Sequence, residues 1–152
     1  MLFYFKVGSK LDCFGLSIDI GWGIIPFAGL VFLAVVNSVN LTDGLDGLAG
    51  GVSLVYLLFF GAIVAFIGDA QMDMLSLASF AVCGGLIAFL SVNTFPAKIF
   101  MGDTGSLALG GFIACLGLFS GKSLLIPIMG LVFVLSALSD IIQVAYYKKT
   151  KK

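Results

Sequence analysis

The sequence predicts an all-α polytopic membrane protein forming a single domain, and three observations carry that prediction. Of 152 residues, 61% are hydrophobic and only 11% charged, which lies outside the range of soluble domains. The apolar residues gather in five stretches that approach the roughly 20 residues a membrane-spanning helix needs. The eight acidic residues are all Asp and the eight basic ones all Lys, with no His; most of them lie outside the stretches.

The stretches run from Gly21 to Val39, Gly50 to Ile67, Leu75 to Val92, Ser106 to Phe119 and Leu124 to Val144. The fourth is short and reaches spanning length only if its helix starts nearer Gly102 or runs on towards Lys122. Ahead of the first, Met1 to Ile20 mixes Lys6, Lys10, Asp12 and Asp19 with Phe, Tyr, Val and Ile, and offers Gly8 and Gly15 as turns. A short external β-hairpin is expected there. Met1 to Phe5 lacks the basic start and small-residue cleavage site of a secretory signal, so insertion is expected to rely on the spans. Cys83 and Cys115 fall inside apolar runs and are assigned to packing.

Consecutive loops must lie on opposite sides of the bilayer, because only closed helices cross it. Alternation puts residues 40 to 49 and 93 to 105 on one face with the tail Lys148 to Lys152, and residues 68 to 74 and 120 to 123 on the other. Lys98 and the four tail lysines stand against Lys122 alone on the opposite loops. The positive-inside rule makes the first group cytoplasmic. Lys6 and Lys10 oppose that orientation, although structured external segments translocate despite their charge.

The first of these loops reads NLTDGLDGLAGG from Asn40 to Gly51. Asp43 and Asp46 would face the same way if the segment were helical, and with Asn40 they offer the hard oxygen atoms that suit Mg²⁺ or a sugar hydroxyl. Asn, Asp and Gly are also ordinary turn formers. Two DG units in a loop that returns to Leu45, Leu48 and Ala49 exceed the needs of a simple connector, and polar groups at a membrane edge are costly and usually functional.

The second loop reads NTFPAKIFMGDTGSLALGG from Asn93 to Gly111 and joins an amide, a cation and a carboxylate. Asp103, between Gly102 and Gly105, is the strongest single candidate. Ser106 is expected to cap the following helix, whose N-terminal N–H groups and dipole would attract phosphate; direct contact with a substrate is the other reading. Phe100 reads either as an interface anchor or as a platform for a nucleobase. In the fifth stretch Asp140 and Gln143 share a helical face within about a turn of the membrane surface, where a solvated, snorkelling placement competes with a functional one.

Taken together, NSVNLTDGLDGLAGG and FPAKIFMGDTGSLALGG closely resemble the phospho-N-acetylmuramoyl-pentapeptide transferase family, within the polyprenyl-phosphate N-acetylhexosamine-1-phosphate transferase superfamily. The Asn-Leu-Thr-Asp form favours the muramoyl-pentapeptide branch. The resemblance implies Mg²⁺-dependent transfer of phospho-MurNAc-pentapeptide from UDP-MurNAc-pentapeptide to undecaprenyl phosphate, giving lipid I and UMP at the cytoplasmic face of a bacterial plasma membrane. It further implies that Asp103 ligates Mg²⁺, that Asn40 and Asp43 line the metal and diphosphate site, and that Asp46 contacts the uridine part. Phe100 would stack on uracil, while Asn93 and Gln143 match further polar positions of the nucleotide pocket. The bilayer and a second copy in a homodimer are the other partners expected; nucleic acid is not.

Two parts of the family pattern are not matched: an acidic pair with a lysine on an earlier cytoplasmic loop, and a histidine-rich loop beyond the fifth span. The chain is therefore expected to be a fragment, covering five of roughly ten spans and inactive by itself. One competing reading is a sister transferase that moves another N-acetylhexosamine 1-phosphate to a polyprenyl phosphate. Another is a non-catalytic membrane module or transporter piece, which would set its carboxylates near the bilayer midplane.

Overall fold

The computed structural model describes residues 10–13, 16–67 and 70–150, with side chains from Asp19 onward. Two strands, β1 (Lys10–Cys13) and β2 (Leu16–Asp19), pair antiparallel with Lys10 opposite Asp19 and Cys13 opposite Leu16. This is the expected hairpin. Gly15 falls in its connection and Gly8 precedes it, both outside the described residues. Asp19 Oδ1 accepts the Gly21 N–H at 2.9 Å, and Gly21, at φ +52°, turns the chain into a 3-10 turn, Gly21–Gly23.

Among the described residues six helices follow: α1 (Ile24–Thr42), α2 (Leu48–Ile67), α3 (Ala70–Asn93), α4 (Gly102–Phe119), the short α5 (Leu125–Met129) and α6 (Leu131–Thr150). Five helical segments among the described residues are long and apolar enough to cross a membrane: Gly21–Thr42, Leu48–Ile67, Ala70–Asn93, Gly102–Phe119 and Leu131–Thr150. The chain is a multi-pass membrane protein. Large apolar side chains such as Leu30, Phe59, Phe66 and Leu77 lie on the outside of the bundle, as expected where the solvent is lipid rather than water.

The fourth span starts at Gly102, the longer of the two lengths its sequence allowed. At 18 residues it measures about 27 Å, close to the hydrocarbon thickness. The fifth expectation needs correcting. The stretch from Leu124 to Val144 is not one helix: α5 ends at Gly130, whose backbone (φ −95°, ψ 34°) leaves helical geometry. Pro127 deprives α5 of an N–H donor, and a side chain at Gly130 would meet the Ile126 carbonyl at 2.8 Å. The spanning helix is consequently displaced towards the C-terminus, with Lys148 and Lys149 in its last turn, where they complement the helix dipole. Asp140 thus lies near the middle of α6 rather than within a turn of its end.

Packing follows two arrangements: α2 pairs with α3, while α1 packs on α4 and α6. Val39, Tyr56, Leu57, Phe60 and Ile113 are buried in the shared core. Small residues let backbones approach where lipid supplies no hydrophobic drive between helices. A Cβ placed on Gly110 of α4 would lie 2.7 Å from Val36 Cα of α1, so these helices touch backbone to backbone. Between α2 and α3, Ser76 Oγ donates to the Gly61 carbonyl at 2.9 Å. Cys83 is buried and Cys115 half-buried, both as free thiols.

Candidate functional site

The Gly110–Val36 contact has a direct consequence one to two turns away. It brings the last turn of α1, with Asn40, against the first turns of α4, with Asp103 and Ser106. The Asn40 amide donates to Asp103 Oδ1 at 3.2 Å and to Ser106 Oγ at 2.8 Å. Ser106 Oγ in turn donates to the Gly102 carbonyl at 3.1 Å. Both amide hydrogens of Asn40 are thereby directed to α4, and its Oδ1 accepts no hydrogen bond among the described residues. Asp103 lies in the first turn of α4, where the helix dipole favours a carboxylate, and Gly102, at φ +64°, permits the sharp entry.

Ser106 does not cap α4. The helix begins four residues earlier, so Ser106 sits inside it, fully buried, and its hydroxyl holds Asn40. Asp43 and Asp46 likewise do not share a helical face. Helix α1 stops at Thr42, Asp43 is its C-cap, and residues 43 to 47 form turns, because two Gly-containing units favour reversal over propagation.

Asp43 is half-buried, and its carboxyl is pushed above the ordinary aspartate range, first by loss of hydration and then by the negative charge of Asp103. Two carboxylates whose charges repel invite a cation. Among the described residues no group of three His, Cys, Asp or Glu side chains gathers to enclose a metal. Mg²⁺ does not require one, since it is commonly held by one or two carboxylates together with water and substrate phosphates. Asp43, Asp103 and the free amide oxygen of Asn40 fit that donor set.

The two loops are also tied to each other. Asp46 Oδ2 accepts the Ala97 N–H at 3.0 Å. Asn93, the last residue of α3, accepts the Gly47 N–H at 3.1 Å and donates to the Ile99 carbonyl at 2.8 Å. Loop 94–101 includes a cis Phe95–Pro96 peptide and carries Phe100 near its end, which is exposed and borders an apolar groove with Phe89, Gly105 and Phe112. Lys98 is exposed on the same loop. Gln143 is not joined to these groups: it is exposed on α6, and its amide donates to Ser139 Oγ at 2.9 Å, one turn back on its own helix.

The polar residues are therefore legible in the sequence, but what brings them together is not. Gly110 and Gly47 read only as small residues in the sequence. The backbone groups of Ala97 and Ile99, which Asp46 and Asn93 engage, carry no signal at all.

The fold and this cluster define a polytopic membrane protein with carboxylate, amide and hydroxyl side chains gathered at one end of its helices. The chain belongs to glycosyl transferase family 4, whose signature matches residues 1–121. It is 45% identical over 145 residues to a phospho-N-acetylmuramoyl-pentapeptide-transferase of Caldanaerobacter subterraneus subsp. tengcongensis, covering 94% of this chain and 45% of the relative. A protein of the same name from Acetivibrio thermocellus is 45% identical over 136 residues, covering 90% and 41%. One from Clostridium perfringens strain 13 is 44% identical over 153 residues, covering 98% and 47%. The chain thus spans somewhat less than half the length of the curated relatives it matches.

Proposed function

We propose that these residues form part of the active site of a Mg²⁺-dependent phosphoglycosyl transferase. It moves phospho-MurNAc-pentapeptide from UDP-MurNAc-pentapeptide to undecaprenyl phosphate, yielding lipid I and UMP. The observation that carries this reading is the joining of Asn40 to Asp103 and Ser106, with Asp43 close enough to feel the charge of Asp103. The names of the three relatives support the choice of substrate.

In this reaction an oxygen of the lipid phosphate bonds to the β-phosphorus of the UDP-sugar, and the bond from that phosphorus to the bridging oxygen breaks, releasing UMP. Bound Mg²⁺ would screen the phosphate oxygens and stabilise the departing UMP. Asp103 and Asp43 would hold the metal, and the Asn40 oxygen would complete the protein's share of its ligands. Ser106 acts behind them by fixing the Asn40 amide. Asp46, with one oxygen committed to Ala97, uses the other towards the uridine part, and exposed Phe100 stacks on uracil. Gln143 joins the nucleotide pocket through a change of partner from Ser139. The lipid phosphate is largely ionised near neutral pH, and no general base is assigned.

On this reading the site faces the cytoplasm of a bacterial cell, with Lys98, Lys148 and Lys149 on the same side, and the protein contributes to peptidoglycan synthesis. An ion path is disfavoured, because Asp43, Asp46 and Asp103 stand at helix ends and in turns, not near a midplane. The test uses the complete gene product in lipid nanodiscs with undecaprenyl phosphate, Mg²⁺ and either UDP-MurNAc-pentapeptide or UDP-N-acetylglucosamine. UMP and lipid I from the first donor alone are expected. Turnover of the second alone would favour the sister transferase, and UMP from neither would contradict both.

A further inference from the structure

The resemblance assigns Asn93 to the nucleotide pocket by motif, and its geometry adds a second task. Its side chain is only 3% exposed, and both ends of its amide are engaged by backbone. The oxygen accepts from Gly47 in the first loop, and the nitrogen donates to Ile99 in the second. One N–H and one lone pair of the amide are thereby taken by backbone, and its burial leaves the group held between the two loops.

The partners it selects are informative. Gly47 follows Asp46 directly and adopts φ +75°, a conformation disfavoured for other residues. A Cβ there would meet the Asn93 carbonyl and Thr94 Cα at 3.6 Å, so this turn rests on the end of α3. Ile99 precedes Phe100 and stands four positions before Asp103. On the far side of Lys98, Ala97 is bound by Asp46, and the Lys98 N–H itself donates to the Val92 carbonyl at 2.8 Å. The Asp46 turn and the loop that leads to Asp103 are therefore both referred to one buried amide.

We infer that Asn93 is a positioning residue: it latches the two site loops to each other, so that the Asp46–Gly47 turn and the Ile99–Asp103 segment adopt their conformations together. The kinetic consequence rests on the proposed transfer reaction, whereas the coupling itself does not. A latch acts on both loops, and the two halves of its amide are separable by substitution. Asn93→Asp keeps an acceptor for Gly47 but, when ionised, has no donor for Ile99. Asn93→Ala removes both.

The experiment is amide hydrogen exchange on the complete gene product in nanodiscs, read at Gly47 and across Lys98–Asp103. Asn93→Ala is expected to accelerate exchange at least tenfold at both places. Asn93→Asp is expected to accelerate it across Lys98–Asp103 while Gly47 stays within threefold of the wild type. Unchanged Gly47 exchange in Asn93→Ala would overturn the latch, as would indistinguishable patterns in the two variants. Asn93→Ser, smaller and uncharged, replaces Asn93→Asp if that protein fails to fold, and is expected to retain the Gly47 protection in part; its complete loss would count against the inference. In the transfer assay, Asn93→Ala should lower kcat at least tenfold with KM for the UDP-sugar changed less than threefold. A raised KM at unchanged kcat would instead make Asn93 a substrate contact and overturn the proposal. If the wild type shows no transfer, the proposed function fails, and the exchange pattern alone decides the latch.

Discussion

Asn40 and Ser106 meet at 2.8 Å across the interface of two helices that lie 66 positions apart in sequence at this point. Their hydrogen bond commits one proton of the Asn40 amide to a fully buried hydroxyl, and the second goes to Asp103. The remaining amide oxygen of Asn40, the proposed metal ligand, is oriented as a result. Ser106→Ala is expected to leave the fold intact and to weaken Mg²⁺ binding about tenfold, the worth of about 1.4 kcal/mol for one lost orienting bond. Asn40→Ala should cost more, since it removes the ligand as well. Titration with Mn²⁺ followed by electron paramagnetic resonance measures both; equal, unchanged affinities would refute the role of this pair.

Asp43 gives a prediction with a definite sign. Its folded pKa is raised, by desolvation first and by Asp103 second, so the folded protein binds a proton there more tightly than the unfolded chain does. In the metal-free protein this group therefore favours folding below the unfolded value, and that contribution disappears as pH rises through the folded value. A cation reverses the demand, because it needs the carboxylate. Metal affinity should decline on acidification at a higher pH than an ordinary aspartate would set. In Asp103→Asn the Asp43 pKa should fall yet remain above the ordinary value, because burial persists. Carbon-13 NMR of labelled aspartate would detect this, and an unchanged Asp43 titration in that variant would remove Asp103 from its surroundings.

Gly110 controls the approach of α1 to α4. Gly110→Val would press side-chain atoms into the Val36 backbone, and overpacking of this kind typically costs about 1–3 kcal/mol. Thermal unfolding in detergent should show a lower Tm, with weaker metal binding because Asn40 retreats from Asp103. Gly111→Ala is the control: its added methyl would meet the Phe32 ring at 3.5 Å, an ordinary contact, and should change little.

Much of this fold could be read from the sequence, for a physical reason. Lipid tolerates few solutions, so apolar runs of spanning length locate helices directly, and the scarce charges mark the ends. Asn40, Asp43 and Asp103 were legible as candidates because polar groups at a membrane edge must be satisfied or used. What the sequence did not reveal depends on backbone geometry and distant partners. The break at Gly130 shows in its backbone dihedrals and in the Ile126 carbonyl and Phe133 ring that crowd the place of a side chain there. The burial of Ser106 depends on how closely α1 approaches. Asn93 was legible as a polar candidate, but only the positions of Gly47 and Ile99 show that it joins the two loops.

Phe100 tests the nucleotide side of the site. It is 72% exposed, so Phe100→Ala should leave Tm almost unchanged. Loss of stacking on uracil should weaken UMP binding roughly three- to tenfold, in line with about 0.5–1.5 kcal/mol for an aromatic pair. Phe100→Trp should retain binding. Calorimetric titration with UMP checks both, and full affinity in Phe100→Ala would leave the residue as an interface anchor alone.

On the proposed function, transfer depends on a metal held by Asp103. The most direct test of that dependence is UMP release from UDP-MurNAc-pentapeptide by the complete gene product carrying Asp103→Asn, measured across a Mg²⁺ titration. A loss of at least a hundredfold in kcat that saturating Mg²⁺ does not restore is expected, with the protein still folded. Wild-type turnover at wild-type Mg²⁺ demand would contradict it.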